Sequence, residues 1–150
     1  MHLAVGGTFD RLHEGHELLL EAAFALGSFV HIGVLSDELI RKSHKEFKNK
    51  IRSLNERKES VKQFIKQKNF EKPYRIQTLT HPFGITHTDP NLEAIVVSEE
   101  TLPAAFQINE IRVQSQYKPL IIILIPEVED ETGIRITSTR KRELDVKKVE

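Results

Sequence analysis

The beginning of the chain places a short apolar run, two glycines and a helical pattern in direct succession. Leu3 to Val5 is apolar, Gly6 and Gly7 end the run, and Glu14 to Leu26 repeats its apolar residues at helical spacing. A strand that turns through glycines into a helix is typical of β-α-β units, in which the next strand lies parallel to the first. This feature favours an α/β fold.

The rest of the chain continues the alternation of strands and helices. Further strands are predicted at Phe29 to Leu35, from Tyr74 to Leu79, at Ala94 to Val97 and, as a buried strand, at Leu120 to Ile125. Further helices are predicted at Asp37 to Arg41, from a cap at Asn55 to a stop at Pro73, and from Pro103 to about Gln116. We therefore predict one domain over residues 1–150, with a Rossmann-like, open five-stranded, mainly parallel sheet and helices on both faces.

Composition narrows the classes of function. The 150 residues include 22 basic and 22 acidic side chains, so the formal net charge is zero and we expect no nucleic-acid partner. The chain has no cysteine, which excludes disulfides, thiolate metal sites and cysteine nucleophiles. The longest apolar run, Leu120 to Ile125, is far shorter than the ~20 residues that span a bilayer. We expect a cytoplasmic protein with no membrane partner.

The turn between the first strand and the first helix has the residues of an anion site. Its glycines let the backbone approach a ligand, Thr8 adds a hydroxyl, and the helix N-terminus presents N–H groups. His13 and His16 are spaced so that both imidazoles can project toward one phosphate. The alternatives are a plain turn with two surface histidines, or a metal site to which Asp10 adds a third ligand. The combination of residue types favours phosphate chemistry.

A second anion site is indicated near the end of the chain. Thr137, Ser138 and Thr139 are good helix caps, yet Arg140 and Arg142 crowd the same helix start, where cations oppose the helix dipole. An anion over this N-terminus, such as the β- and γ-phosphates of a nucleotide, removes the conflict. The alternative is a basic tail.

Two further polar stretches follow predicted strands, where sheets of this kind bind ligands. Residues 41–58 contain eight basic and two acidic side chains and are predicted to form a loop that closes over phosphates. Ser98, Glu99 and Glu100 follow the fourth strand, where they can accept hydrogen bonds from adenine or ribose. A solvated charged face and a capped helix start are the respective alternatives.

Several of these stretches resemble one enzyme superfamily. Gly6 to His16 is similar to the G-G-T-F-D-x-x-H-x-G-H signature of the nucleotidylyltransferases. The archaeal and eukaryotic branch of phosphopantetheine adenylyltransferases is resembled by Val97 to Thr101, by Asn109-Glu110-Ile111-Arg112 with Lys118-Pro119-Leu120, and by Ile136 to Arg140.

The resemblance implies transfer of AMP from ATP to 4'-phosphopantetheine in coenzyme A biosynthesis, with Mg²⁺ carried by ATP and no protein metal ligands. The implied catalytic residues are His13, His16, Lys42 and Arg142. The implied ATP-binding residues are Gly7, Thr8, Phe9, Asp10, His16, Ser98, Glu100, Thr137, Ser138, Thr139 and Arg140. The implied substrate-binding residues are Thr8, Lys42, Lys45 and Phe83. The branch also implies a monomer.

The resemblance leaves alternatives at several residues and for the function. Either Lys42 or Lys45 matches the lysine that binds the substrate phosphate in the family. His81 departs from the acid that usually opens the D-P-F-G stretch, and Asp10 is a candidate to orient a hydrated Mg²⁺. The alternatives to the implied function are a related enzyme with glycerol phosphate, nicotinamide mononucleotide or flavin mononucleotide as acceptor, and a nucleotide-binding module without catalysis. His2, His31 and His44 have no such context, and we assign them no role.

Overall fold

A five-stranded sheet forms the middle of the protein, in a computed structural model that describes residues 1–42 and 51–126. Its strands are β1 (His2–Gly7), β2 (Phe29–Leu35), β3 (Tyr74–Leu79), β4 (Ala94–Val97) and β5 (Ile121–Leu124). Their order across the sheet is β3-β2-β1-β4-β5, and each of the four neighbouring pairs is parallel. The predicted Rossmann-like α/β sheet is confirmed.

The helices cover both faces of this sheet. They are α1 (Glu14–Leu26), α2 (Asp37–Lys42), α3 (Leu54–Lys68) and α4 (Leu102–Gln114). On one face, Leu20 of α1 and Val61 of α3 pack with Val5 in the larger hydrophobic core. On the other face, Ala105 of α4 packs with Ala4 in a smaller core. Successive residues of β1 point to opposite faces, and burial of both faces explains why the central strands are almost wholly apolar.

Among the described strands, β5 lies at one edge of the sheet, and its predicted burial is wrong. Ile121 is 59% exposed and Leu124 is 45% exposed. The strand order leaves β5 with β4 as its one neighbour among the described residues. An apolar run alone does not distinguish a central strand from an edge strand.

Both predicted ends of α3 are also wrong. Ser53, not Asn55, caps the helix, because its Oγ accepts a hydrogen bond of 3.3 Å from the backbone N of Glu56. The helix ends at Lys68, well before Pro73, because Asn69 adopts a left-handed conformation with φ of 54°. None of the helices in the described part of the chain is long and apolar enough to cross a membrane.

Candidate active site

The turn after β1 lies at the point where the strand order reverses. β1 pairs with β2 on one side and with β4 on the other, so connections leave the sheet in opposite directions from its carboxyl edge. Thr8, Phe9 and Asp10 are buried although they belong to a turn. Phe9 and Arg11 have positive φ angles of 51° and 40°. Left-handed backbone costs about 1–2 kcal/mol at a non-glycine residue, so the surrounding contacts must hold this turn in place.

The two histidines of the turn lie side by side. The ring centroids of His13 and His16 are 4.0 Å apart, with an interplanar angle of 26°. Nδ1 of His13 accepts a hydrogen bond of 3.0 Å from the backbone N of Gly15 and thereby caps α1. Because Nδ1 is the acceptor, a neutral His13 carries its hydrogen on Nε2, where it can serve as a donor. The two imidazoles therefore lie together, and their contact with one phosphate stays a prediction.

Asp10 is engaged by arginines. Its Oδ2 accepts a hydrogen bond of 2.7 Å from Nη1 of Arg11. Its Oδ1 accepts hydrogen bonds from the backbone N of Arg52 at 3.1 Å and from Nε of the same residue at 3.4 Å. The carboxylate is fully buried, so it braces the turn against the chain that leads into α3. Within residues 1–42 and 51–126, no three acidic, histidine or cysteine side chains are grouped as a metal site.

Arg57 occupies a place that the sequence did not indicate. Counted there among the basic residues of a loop, it is fully buried in the first turns of α3. Its guanidinium group donates hydrogen bonds to the carbonyl oxygens of Thr8, Leu35 and Arg52, at 2.9, 2.8 and 3.0 Å. Nη2 also donates to Oδ1 of Asp37 at 2.8 Å. One side chain therefore joins the turn after β1 to the end of β2.

A cavity of about 620 Å³ extends from Gly7, the last residue of β1, across the face of the sheet that α4 covers. It is mostly apolar, and the glycines of β1 lie in its wall together with Lys42 and Phe83, two of the four residues predicted to bind the substrate. Nζ of Lys42 lies 3.2 Å from Oε1 of Glu38, and both side chains are largely exposed. The fold thus brings a lysine and an apolar chamber to the end of the strand from which the turn with His13 and His16 starts.

The floor of the cavity is shaped by Leu79, which lies across glycines. A Cβ atom built on Gly33 would approach Cγ, Cδ1 and Cδ2 of Leu79 to 2.7 Å. A Cβ on Gly84 would come within 2.5 Å of Leu79 Cδ2, and Gly84 has a φ of +57°. Both positions therefore require glycine as long as Leu79 keeps its place.

His31, to which no role was assigned from the sequence, also lines this cavity. Its Nε2 lies 3.3 Å from Nδ1 of His2. Burial lowers the pKa of His31, the adjacent His2 and Arg75 lower it further, and Asp89 opposes them. His31, in the wall of the cavity, is therefore protonated less readily than an exposed histidine.

A second buried arginine, which is not among the residues that line the cavity, joins α4 to the chain that leads into β4. Arg112 of α4 donates hydrogen bonds to the carbonyl oxygens of Thr86, Asp89 and Leu92, at 2.8, 2.8 and 3.1 Å, and to that of Lys118 at 2.8 Å. Burial lowers its pKa. Its hydrogen bonds therefore stabilise the packing of α4 against residues 86–92 and the chain that leads into β5.

The remaining predicted site residues divide into two groups. Ser98 and Glu100 follow the carboxyl end of β4, as predicted, and Glu100 is exposed. The backbone N of Ser98 donates a hydrogen bond of 3.1 Å to Oγ1 of Thr101. Their contact with ATP stays a prediction. Six predicted residues lie outside the described residues: Lys45, Thr137, Ser138, Thr139, Arg140 and Arg142.

The strand order and the paired histidines at its reversal define a nucleotidyltransferase type of α/β domain. The chain belongs to the cytidylyltransferase-like family, whose model matches residues 4–144, and to its group of archaeal phosphopantetheine adenylyltransferases. The enzyme of that name from Methanopyrus kandleri is 42% identical, over 93% of this chain and 87% of its own length. The one from Pyrococcus horikoshii is 42% identical, over 91% of this chain and 85% of its own length.

Solved structures agree on the fold. A crystal structure of a protein with unknown function from Archaeoglobus fulgidus has a TM-score of 0.71 and 34% sequence identity, over 83% of this chain and 89% of that one. Pantothenate synthetase from Thermus thermophilus has a TM-score of 0.60 at 14% identity, over 91% of this chain and 59% of that one. At that level of identity the second likeness concerns the fold alone.

Proposed function

We propose that this protein is a phosphopantetheine adenylyltransferase, which transfers AMP from ATP to 4'-phosphopantetheine and releases pyrophosphate. The observation that carries the proposal is an apolar cavity, lined by Lys42 and Phe83, that reaches Gly7 at the end of β1, where the turn with the paired histidines begins. Relatives of that name, 42% identical over most of the chain, support it. Nothing in the site or among these relatives favours glycerol phosphate, nicotinamide mononucleotide or flavin mononucleotide as the acceptor.

The acceptor fits the cavity in one direction. Its phosphate lies at the turn, where Thr8 and Lys42 hold it, and its pantetheine arm enters the apolar chamber against Phe83. An elongated, mostly apolar arm with a few amide groups suits a chamber whose wall is largely aliphatic. Binding energy from the arm then helps to orient the phosphate for attack.

The reaction forms one phosphorus–oxygen bond and breaks another. An oxygen of the acceptor phosphate attacks the α-phosphorus of ATP, and the bond from the α-phosphorus to the oxygen that bridges it to the β-phosphate breaks, so pyrophosphate leaves. The acceptor needs no protein base, because a phosphate monoester with a second pKa near ~6 is mostly a dianion at neutral pH. The protein has to position the groups and stabilise the charge that accumulates on the α-phosphate.

The turn supplies donors for that charge. His13, through Nε2, and His16 donate hydrogen bonds to the α-phosphate oxygens, which strengthen as negative charge grows in the transition state. Backbone N–H groups of Gly7 and Phe9 and the hydroxyl of Thr8 complete the set. Asp10 holds Arg11 and Arg52 beside the turn, and its contact with ATP stays a prediction.

Nucleotidyltransferases of this family generally use Mg²⁺ with ATP. We propose that the ion is carried by phosphate oxygens and water, because Mg²⁺ usually keeps several waters in nucleotide sites and Asp10 is engaged by guanidinium groups. When bound, the ion neutralises part of the phosphate charge.

The other implied contacts complete the proposal. Ser98 and Glu100 bind ATP at the end of β4. The stretch near the C-terminus binds the β- and γ-phosphates and the leaving pyrophosphate through Thr137, Ser138, Thr139, Arg140 and Arg142. Lys45 stays an alternative to Lys42 for the acceptor phosphate. The cytoplasmic location and the monomeric state stay predictions.

A panel of acceptors tests the proposed function. Pyrophosphate release is measured with ATP and Mg²⁺ and, in separate reactions, 4'-phosphopantetheine, glycerol phosphate, nicotinamide mononucleotide or flavin mononucleotide, and the series is repeated with CTP. We expect release with ATP and 4'-phosphopantetheine alone. Release with another pair would replace the substrate, and ATP binding without release in any reaction would favour a nucleotide-binding module.

A further inference from the structure

We propose that Arg57 is a positioning residue of the transfer reaction, which fixes the Thr8–Phe9 peptide so that the Phe9 N–H faces the α-phosphate of ATP. The inference rests on the proposed function for the identity of the reaction. The guanidinium group of Arg57 contacts the turn between β1 and α1 (residues 8–13), which we call the anion turn.

Arg57 fixes the direction of the Thr8 carbonyl group. Nη1 of Arg57 donates a hydrogen bond of 2.9 Å to the carbonyl oxygen of Thr8, so this oxygen points toward α3. The described chain contains no cis peptide bond. In a planar trans peptide the C=O and the following N–H point in opposite directions. The N–H of Phe9 therefore points away from Arg57, which leaves it available to a ligand on the other side of the turn.

The same hydrogen bond helps to maintain an unfavourable backbone conformation at Phe9. Phe9 has a φ of 51°, a left-handed value that a bulky residue adopts at a cost. Its side chain is fully buried and its ring centroid lies 5.4 Å from that of His16. The buried ring and the guanidinium group together hold the peptide in an orientation that the backbone alone does not prefer. A peptide free to rotate would turn its carbonyl oxygen toward the phosphate and repel it.

Arg57 also connects the anion turn to the helix that carries Lys42, the residue proposed to bind the acceptor phosphate. The same Nη1 donates to the carbonyl oxygen of Leu35 at 2.8 Å, and Nη2 donates to Oδ1 of Asp37 at 2.8 Å. Asp37 is the first residue of α2, and Lys42 is its last. Arg57 thus fixes, from one buried point, both the donors for ATP and the helix that presents the lysine to the acceptor. Lysine cannot replace it, because an ammonium group lacks the planar fork that reaches these acceptors together.

Substitution of Arg57 by lysine tests the proposal against a matched control. Arg112 is also fully buried and also donates four hydrogen bonds, but its acceptors lie in residues 86–118 and not in the anion turn. Arg57→Lys and Arg112→Lys are compared with the wild type for melting temperature, kcat, KM for ATP, and the NMR shift of the Phe9 amide proton on addition of ATP and Mg²⁺.

We expect both variants to lose thermal stability, and Arg57→Lys alone to lose kcat, by about 100-fold, the usual cost of one donor to a transition-state oxyanion. KM for ATP changes by less than about tenfold, because the N–H acts mainly in the transition state. The Phe9 amide proton shifts on ATP binding in the wild type and in Arg112→Lys, and the shift is lost in Arg57→Lys.

Two results overturn the proposal: equal kcat values in Arg57→Lys and Arg112→Lys below both melting temperatures, or a Phe9 amide that does not respond to ATP in the wild type. If Arg57→Lys does not fold, Asp37→Ala replaces it, since Asp37 is about half exposed and alanine removes the acceptor of the hydrogen bond from Nη2. A fall in kcat of about fivefold or more supports the proposal, and an unchanged kcat contradicts it. Failure of the proposed function gives a different result: the wild-type protein then shows no turnover with 4'-phosphopantetheine. The response of the Phe9 amide proton to ATP still tests the role of Arg57 in that case.

Discussion

His13 and His16 stack with their ring centroids 4.0 Å apart, and His13 also caps the helix that carries them both. The two histidines therefore differ in what they contribute. His16 serves the site, whereas His13 serves the site and the stability of α1. Substitution can separate the two contributions.

We expect His16→Ala to lower kcat by about 100-fold with an unchanged free energy of unfolding. His13→Ala should lower kcat similarly and also cost about 1 kcal/mol of stability, because the cap on the N–H of Gly15 is lost. His13→Asn is the matched control: asparagine restores the cap and the stability but not the turnover. Wild-type turnover in His13→Asn or His16→Ala would contradict the roles assigned to these imidazoles. Steady-state kinetics and urea denaturation provide both readouts.

Lys42 tests how the acceptor phosphate is held. Lys42→Met removes a charged donor, so we expect kcat/KM for 4'-phosphopantetheine to fall about 10- to 100-fold while KM for ATP stays within about threefold. The control is Glu38→Gln, which removes the exposed partner of Lys42 and frees its ammonium group. Because exposed ion pairs contribute little, this variant should fold normally and keep its activity. A Lys42→Met enzyme with unaltered acceptor kinetics would transfer the role to Lys45.

The contact between Gly33 and Leu79 predicts a rescue. Gly33→Ala places a Cβ 2.7 Å from the Leu79 side chain, which must then move into the cavity. We expect KM for 4'-phosphopantetheine to rise and stability to fall by about 1–3 kcal/mol through overpacking. Leu79→Ala in the same chain removes the clash and should restore acceptor binding. If the double variant binds the acceptor no better than Gly33→Ala, Leu79 does not set the shape of the chamber.

Arg112→Met should be among the most destabilising single changes in the chain. The buried guanidinium satisfies the carbonyl oxygens of Thr86, Asp89, Leu92 and Lys118, and methionine leaves all four without that donor. We expect the free energy of unfolding to fall by about 3 kcal/mol or more. Lys62→Met, an exposed substitution on α3, should change it by less than about 0.5 kcal/mol. Urea titration of both variants measures the difference, and equal midpoints would show that the Arg112 hydrogen bonds contribute little.

His31 predicts part of the pH dependence of stability. Burial and the neighbouring His2 lower its pKa in the folded protein, so the unfolded chain binds the proton more readily. Stability is therefore expected to fall as the pH drops below the ordinary histidine pKa of about 6.5, and to level off below the folded-state value. His31→Gln should show a smaller loss of stability than the wild type between about pH 7.5 and about pH 5. Parallel curves for the two proteins would contradict this.

Local pattern predicts the elements of this fold well. The predicted bounds of α1 and β2 agree with the structure, because glycines and serine interrupt a clear helical and a clear apolar pattern there. The anion turn is equally local, since all its residues lie in one stretch of sequence. The exposure of β5 is not local, because it depends on the order of strands in the sheet.

Arg57 and His31 show what the sequence could not reveal. An arginine among lysines looks like part of a solvated loop, and its burial depends on acceptors from Thr8, Leu35 and Asp37 that meet only in the folded chain. His31 reaches the cavity because the register of β1 and β2 places it beside Ala4. The positions of Arg57 and His31 depend on contacts between segments that are far apart in the sequence, so no single stretch of sequence predicts them.

The fate of the α-phosphate is the most direct measure of the proposed reaction. ATP radiolabelled in the α-phosphate is incubated with the protein, Mg²⁺ and 4'-phosphopantetheine, and a parallel reaction contains ATP labelled in the γ-phosphate. We expect the α-label in dephospho-coenzyme A and the γ-label in pyrophosphate, with neither product formed by His16→Ala at a comparable rate. Transfer of the γ-label to the acceptor, or no labelled product from a protein that binds ATP, would contradict an adenylyl transfer.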